Sequence, residues 1–199
     1  MKKIIIANSK NKPFRHDATG AFMPEARRLA HVLEKSEPDT TVVLFINMRQ
    51  KPWIVRRALR HTIEPFVGAD TEQIYFLCHG WRTGFQAGYR GKSGALMLAH
   101  QFAEQAPNLK LLTFYACSMG AGQVDNNFLY WLSEELPEVT IIGHYKAGHT
   151  TKNPFVCVYK NSERIFKYNK KDILWPLWKN LLKKDEKLRF LYPDYNLED

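Results

Sequence analysis

Two residues in this sequence are of the types that together make a nucleophile. His79 follows the apolar run Ile74-Tyr75-Phe76-Leu77-Cys78, and Cys117 follows Leu111-Leu112-Thr113-Phe114-Tyr115-Ala116. A free thiol ionises near about pH 8.5 and is mostly protonated at neutrality; an adjacent imidazolium stabilises the thiolate. The same imidazole can then give its proton to a leaving amine. Gly80, next to the histidine, has no side chain to shield its backbone N–H. With the N–H of Cys117, that group could hold a developing oxyanion. Ala116, Ser118 and Gly120 are small enough to let a substrate backbone approach the thiol.

This chemistry requires the two runs to be neighbouring strands. Both are almost wholly apolar, as in strands of a parallel sheet covered on both faces. Further strand-like runs are Lys3–Ala7, Thr41–Ile46, Val139–Gly143 and Phe155–Tyr159. Between them lie helical segments: Pro24–Glu34, with Ala26, Leu29, Ala30 and Leu33 at helical spacing, then Trp53–Ile63, Ala95–Gln105 and Asn126–Leu136. Alternating strand and helix predicts right-handed crossovers and a three-layer αβα domain around a mostly parallel, doubly wound sheet. Sites in such sheets form outside the carboxyl ends of the strands. Strands joined through one helix are usually adjacent, about 4.8 Å apart, which puts His79 and Cys117 in one crevice. The plain structural alternative is an inert, buried Cys117 beside a turn histidine.

An apolar strand ending in His-Gly, followed by one ending in Ala-Cys, resembles the signature of the caspase-like cysteine peptidases. That clan includes caspases, metacaspases, legumains and gingipains. The resemblance covers the order of elements from Lys3 to Gly143 and implies a caspase-like fold. It also implies His79 as general acid/base, Cys117 as nucleophile, and Gly80 with Cys117 as oxyanion donors. The family works with a dyad, so no third catalytic residue is implied. Two positions depart from its pattern. Tyr115 stands where an acidic residue or Gln is common, and Cys78 where a small residue such as Ser is common. Only Ser118–Val124 separates Cys117 from the next helix, where caspases cut into two subunits carry a longer linker. The chain therefore resembles a single-chain member. The implied function is cleavage of peptide bonds through a thioacyl-enzyme, with a protein or peptide as partner; the alternative is a catalytically silent domain serving as a binding or regulatory module.

Other patterns fit less well. Gly91-Lys92-Ser93 suggests a phosphate loop, but Gln86 stands where that motif needs its first Gly. A mobile, glycine-rich rim containing Gly80, Gly84, Gly88, Gly91 and Gly94 explains the stretch better. Its Arg82 and Arg90 are candidate substrate-rim cations, as is Lys92. His149, in the loop after Val139–Gly143, is a further rim candidate. The pocket residues Arg15, Asp17, Arg82 and Asp125 imply opposite substrate preferences. A cysteine-phosphatase loop would need Arg at Gln123. Cys78, His79, His144, His149 and Cys157 lack the spacing of a metal site, so no metal and no cofactor are expected.

The whole chain bounds these readings. Its 199 residues fit one domain, with residues 1–167 as the α/β unit and 168–199 as a C-terminal helix and tail packed on it. In that helix Trp175, Trp178, Leu181 and Leu182 alternate with Lys179, Lys183 and Lys184. A packed helix with a wet, basic back is preferred to membrane contact. The formal charge of +9 permits acidic partners but comes with no nucleic-acid recognition motif. Three cysteines are too few for a disulfide framework. No apolar run reaches the roughly 7–15 residues of a signal h-region or the ~18–20 of a membrane span, so the expected location is cytoplasmic.

Overall fold

The computed structural model describes residues 2–8, 22–36, 39–45, 51–147 and 155–167. The expected C-terminal helix and tail (168–199), Arg15, Asp17 and the segment 148–154 with His149 lie outside these residues. The elements run β1 (Lys2–Asn8), α1 (Phe22–Ser36), β2 (Thr40–Phe45), α2 (Pro52–Ile63), β3 (Thr71–Leu77), then the short strands β4 (Gly80–Trp81), β5 (Gly84–Phe85) and β6 (Tyr89–Arg90). They continue with α3 (Gly91–Gln105), β7 (Leu111–Tyr115), α4 (Phe128–Glu135), β8 (Thr140–His144), β9 (Val156–Lys160) and β10 (Glu163–Lys167).

Seven strands form one sheet in the order β10-β9-β8-β7-β3-β1-β2. The five from β2 to β8 are parallel, and β9 and β10 close one edge antiparallel. The mostly parallel α/β sheet expected from the sequence is therefore present, with an antiparallel flank. Strands β1, β3, β7, β8 and β9 are buried nearly throughout because apolar residues leave both of their faces. One face carries Ile5, Ala7, Tyr75, Leu77 and Tyr115, packed against Phe22, Ala26, Leu29 and Leu33 of α1. The other carries Ile4, Ile6, Ile74, Phe76, Cys78, Phe114 and Ala116, packed with side chains from α2, α3 and α4. Helices thus lie on both faces, giving three layers.

The glycine-rich stretch departs from the open rim expected of it. It folds as a three-stranded antiparallel meander, β4-β5-β6, whose Phe85 is fully buried. The Phe85 ring lies 5.1 Å from Phe76, 5.1 Å from Phe114 and 5.6 Å from Phe128, so the meander is anchored into the core. Strands of two residues are too short to leave a hydrophobic period, which is why the sequence reads there as loop. Among the described residues no helix is long and apolar enough to cross a membrane.

Candidate active site

The site is built where β3 and β7 end. These strands pair in parallel, with Leu77 opposite Tyr115. Side chains alternate along a strand, so residues two apart share a face. Leu77 and Tyr115 lie in the cluster under α1, and Cys78 and Ala116 in the cluster on the opposite face. By the same alternation His79 belongs on the α1 side. The contact of His79 agrees: its ring meets that of Phe22, the first residue of α1, edge-on with centroids 5.0 Å apart.

Gly80 brings the two strand ends into direct contact. A Cβ at this position would stand 2.8 Å from Ala116 Cβ, 2.9 Å from Met119 Cγ and 3.0 Å from the Cys117 carbonyl oxygen. Only a residue without a side chain fits so close to the segment carrying the thiol. Gly80 was expected for its free N–H; the structure adds a steric requirement that its type alone did not reveal.

The histidine backbone is fixed from both sides by Gln86, between β5 and β6. The His79 N–H donates to Gln86 Oε1 at 3.2 Å, and the Gln86 N–H donates to the His79 carbonyl at 2.9 Å. The same Oε1 accepts a bond from Asn8 Nδ2 at 2.9 Å, tying the end of β1 into the site. Phe22, Gln86 and Asn8 are positioning residues that the sequence reading missed. A lone Gln in a loop and an Asn at a strand end carry no signal of this kind; only the folded chain brings them together.

After Cys117 the backbone turns sharply. Ser118 has φ 57°, left-handed and unusual for a residue with a Cβ. Such conformations cost about 1–3 kcal/mol and persist where the surroundings enforce them, often at functional sites. Here the Ser118 N–H donates to the Lys146 carbonyl at 3.2 Å, and the Gly120 N–H to the His144 carbonyl at 2.9 Å. The turn is thus held by the end of β8. His144 itself is buried, with its ring 6.0 Å from that of Tyr115.

The three cysteines separate by exposure. Cys78 and Cys157 are buried, whereas Cys117 is partly exposed. Burial, the main cause, pushes the Cys78 thiol well above the ordinary range; a hydrogen bond with the Gln86 backbone opposes this and the nearby Cys117 adds to it. Burial likewise pushes Cys157 up to about 12, against the pull of Arg164 and Lys167. Neither is suited to supply a thiolate at neutral pH.

Of the expected rim cations, Arg82 is exposed and lies against the turn after Cys117. A Cβ on Gly122 would stand 2.9 Å from Arg82 Cδ, and the Phe128 N–H donates to the Arg82 carbonyl at 2.9 Å. Arg90 instead sits over the Trp81 ring, 5.2 Å from its centroid, at the outer edge of the meander. Lys92 pairs with Glu134 at 3.2 Å, away on α3 and α4. Asp125 is exposed between Cys117 and α4. Among the described residues no three His, Cys, Asp or Glu side chains are grouped as a metal site would need. The partly exposed thiol of Cys117 thus lies in a segment against which Gly80, the neighbour of His79, is packed. Set beside known proteins, the chain matches no family model and no curated protein.

Proposed function

We propose that this protein is a cysteine endopeptidase of the caspase-like kind. The Cys117 thiolate attacks a peptide carbonyl carbon, forming an S–C bond, while the N–H groups of Gly80 and Cys117 stabilise the oxyanion. The C–N bond then breaks, and the imidazolium of His79 protonates the departing amine. Water, deprotonated by His79, hydrolyses the thioester, releasing the acid and restoring the thiol.

The observation that supports this reading is the closeness of Gly80, next to His79, to the Ala116–Met119 segment that carries Cys117, at the ends of two paired parallel strands. The partial exposure of Cys117 and the enforced turn at Ser118 support it. Residues at the end of β1 and in the meander fix His79 from behind, as a general acid requires.

The test is labelling by acyloxymethyl-ketone peptides and cleavage of a mixed peptide library, in the wild type and in Cys117→Ala. The wild type is expected to label at Cys117 and to cleave; Cys117→Ala should lose at least about 10³-fold of turnover and keep its fold. A folded wild type that neither labels nor cleaves would instead favour a silent binding module. A Cys117→Ala protein with full activity would remove the nucleophile assignment.

A further inference from the structure

The outer surface of α2 and α3 carries a groove of about 450 Å³, on the helical layer and away from the strand ends. On α2, Val55, Leu59 and Ile63 form the inner stripe buried against the sheet. The neighbouring stripe, Arg56, Arg57 and Arg60, recurs at helical spacing and faces α3 across the groove. From α3 come Leu96, Met97 and His100. The groove is therefore an apolar floor bordered by cations.

Two features suggest an occupant. The first is exposed apolar surface: of the lining residues Met97 is 50% exposed and Leu96 39%. Single exposed apolar residues are ordinary, but a group around a concavity marks an interaction site. The second is unbalanced charge. Three guanidinium groups and an imidazole line the groove against one carboxylate, Glu104, which Arg60 engages at 2.8 Å. Arg56 donates to the Gly88 carbonyl at 2.7 Å and is held in the wall, leaving Arg57 and His100 exposed on the rim.

We propose that this groove docks an acidic, amphipathic helical segment of a protein partner. Its apolar side chains seat on Leu96 and Met97, and its carboxylates meet Arg57, Arg60 and His100. An amphipathic helix in a groove anchors through apolar residues at helical spacing, which matches a floor formed between two helices. Nucleic acid is the poorer fit, since phosphates are bound by cations and gain little from an apolar floor. A membrane surface is also the poorer fit, since the groove is concave. The inference does not depend on the peptidase reading.

The test begins with selection from a display library of helical peptides randomised on one face, using the full-length protein as bait. The enriched peptides should carry carboxylates at i and i+3 or i+4 beside bulky apolar residues. Their affinity, read by fluorescence anisotropy, should fall about tenfold or more in Arg57→Glu/His100→Glu and in Met97→Asp, and should weaken as salt is raised. Circular dichroism checks the fold of each variant, with Arg57→Gln/His100→Gln as the milder replacement. Enrichment of peptides without acidic residues, or equal binding by wild type and variants, would overturn the proposal. So would binding of a labelled oligonucleotide or of phosphatidylserine vesicles that these variants abolish while peptide binding is unaffected.

Discussion

Cys117 and Cys157 both border one turn, and their fates differ. Cys117 follows β7 and is partly exposed, and Gly80 at the end of β3 packs against its carbonyl. Cys157 lies within β9, beneath the turn that follows Cys117; its Sγ donates to the Gly143 carbonyl at 3.4 Å and sits where a Cβ on Gly120 would have to go. The same thiol is in one place accessible and in the other a packing element. The difference lies in the backbone. β7 is followed by the left-handed Ser118, which turns the chain, whereas β9 of the antiparallel flank fills the space under Gly120.

The largest effect that could break this contrast is expected at His79. His79→Ala should lower peptide cleavage by about 10²–10⁴-fold, the usual loss when a general acid is removed. Its loss of stability should be small beside its loss of activity, the edge contact with Phe22 being worth about 0.5–1.5 kcal/mol. Equal losses of activity and stability would make His79 a structural residue.

Next comes the floor of the turn. Gly120→Ala puts a methyl group onto Cys157 Sγ and should cost about 1–3 kcal/mol, as overpacked interiors do. Cys157→Ala in the same chain removes the clash, so the double variant should be more stable than Gly120→Ala alone when both are unfolded in urea. Additive losses would show that the two residues do not share that space.

Asn127 holds the far end of the same turn. Its side chain accepts from the Tyr130 N–H at 3.1 Å, capping α4, and donates to the Gln123 carbonyl at 3.0 Å and to Tyr159 Oη at 2.9 Å. Asn127→Ala should cost about 1–2 kcal/mol in a denaturant titration. A change within a few tenths would mean that the turn is held without it.

The smallest effect is a dependence on alkaline pH. The buried thiols of Cys78 and Cys157 have folded-state pKa values raised above the ordinary 9.0. Above that value the unfolded chain releases protons that the folded chain keeps, so their stabilising contribution is complete below about pH 9 and declines as pH rises toward 12. Between pH 9 and 10 the loss should be on the order of 1 kcal/mol per thiol, read from urea midpoints. Cys157→Ala should flatten this decline; an unchanged decline would place its cause elsewhere.

The two central strands were readable from the sequence because strands buried on both faces admit few polar residues, so their ends stand out as His79-Gly80 and Cys117. The flank was less readable. Phe155–Tyr159 showed a strand without its direction, and β10 went unseen because its residues alternate between exposed and partly buried. The turn between them uses Asn161 and Ser162, with φ 48° and 62°, in place of the glycine that usually marks a left-handed turn. The bond between Gln86 and His79, like the packing of Gly80, is set by folding and has no spacing to read. Strand patterning marks the two strand ends; contacts across the fold hold them together.

The most direct test is brief iodoacetamide treatment at neutral pH, followed by mass spectrometry of each cysteine-containing peptide, in the wild type and in His79→Ala. Selective alkylation at Cys117, slowed when the imidazole is removed, is the predicted result. Modification of Cys117 no faster than that of the buried Cys78 and Cys157, or at a rate indifferent to His79, would contradict the pairing of thiol and imidazole.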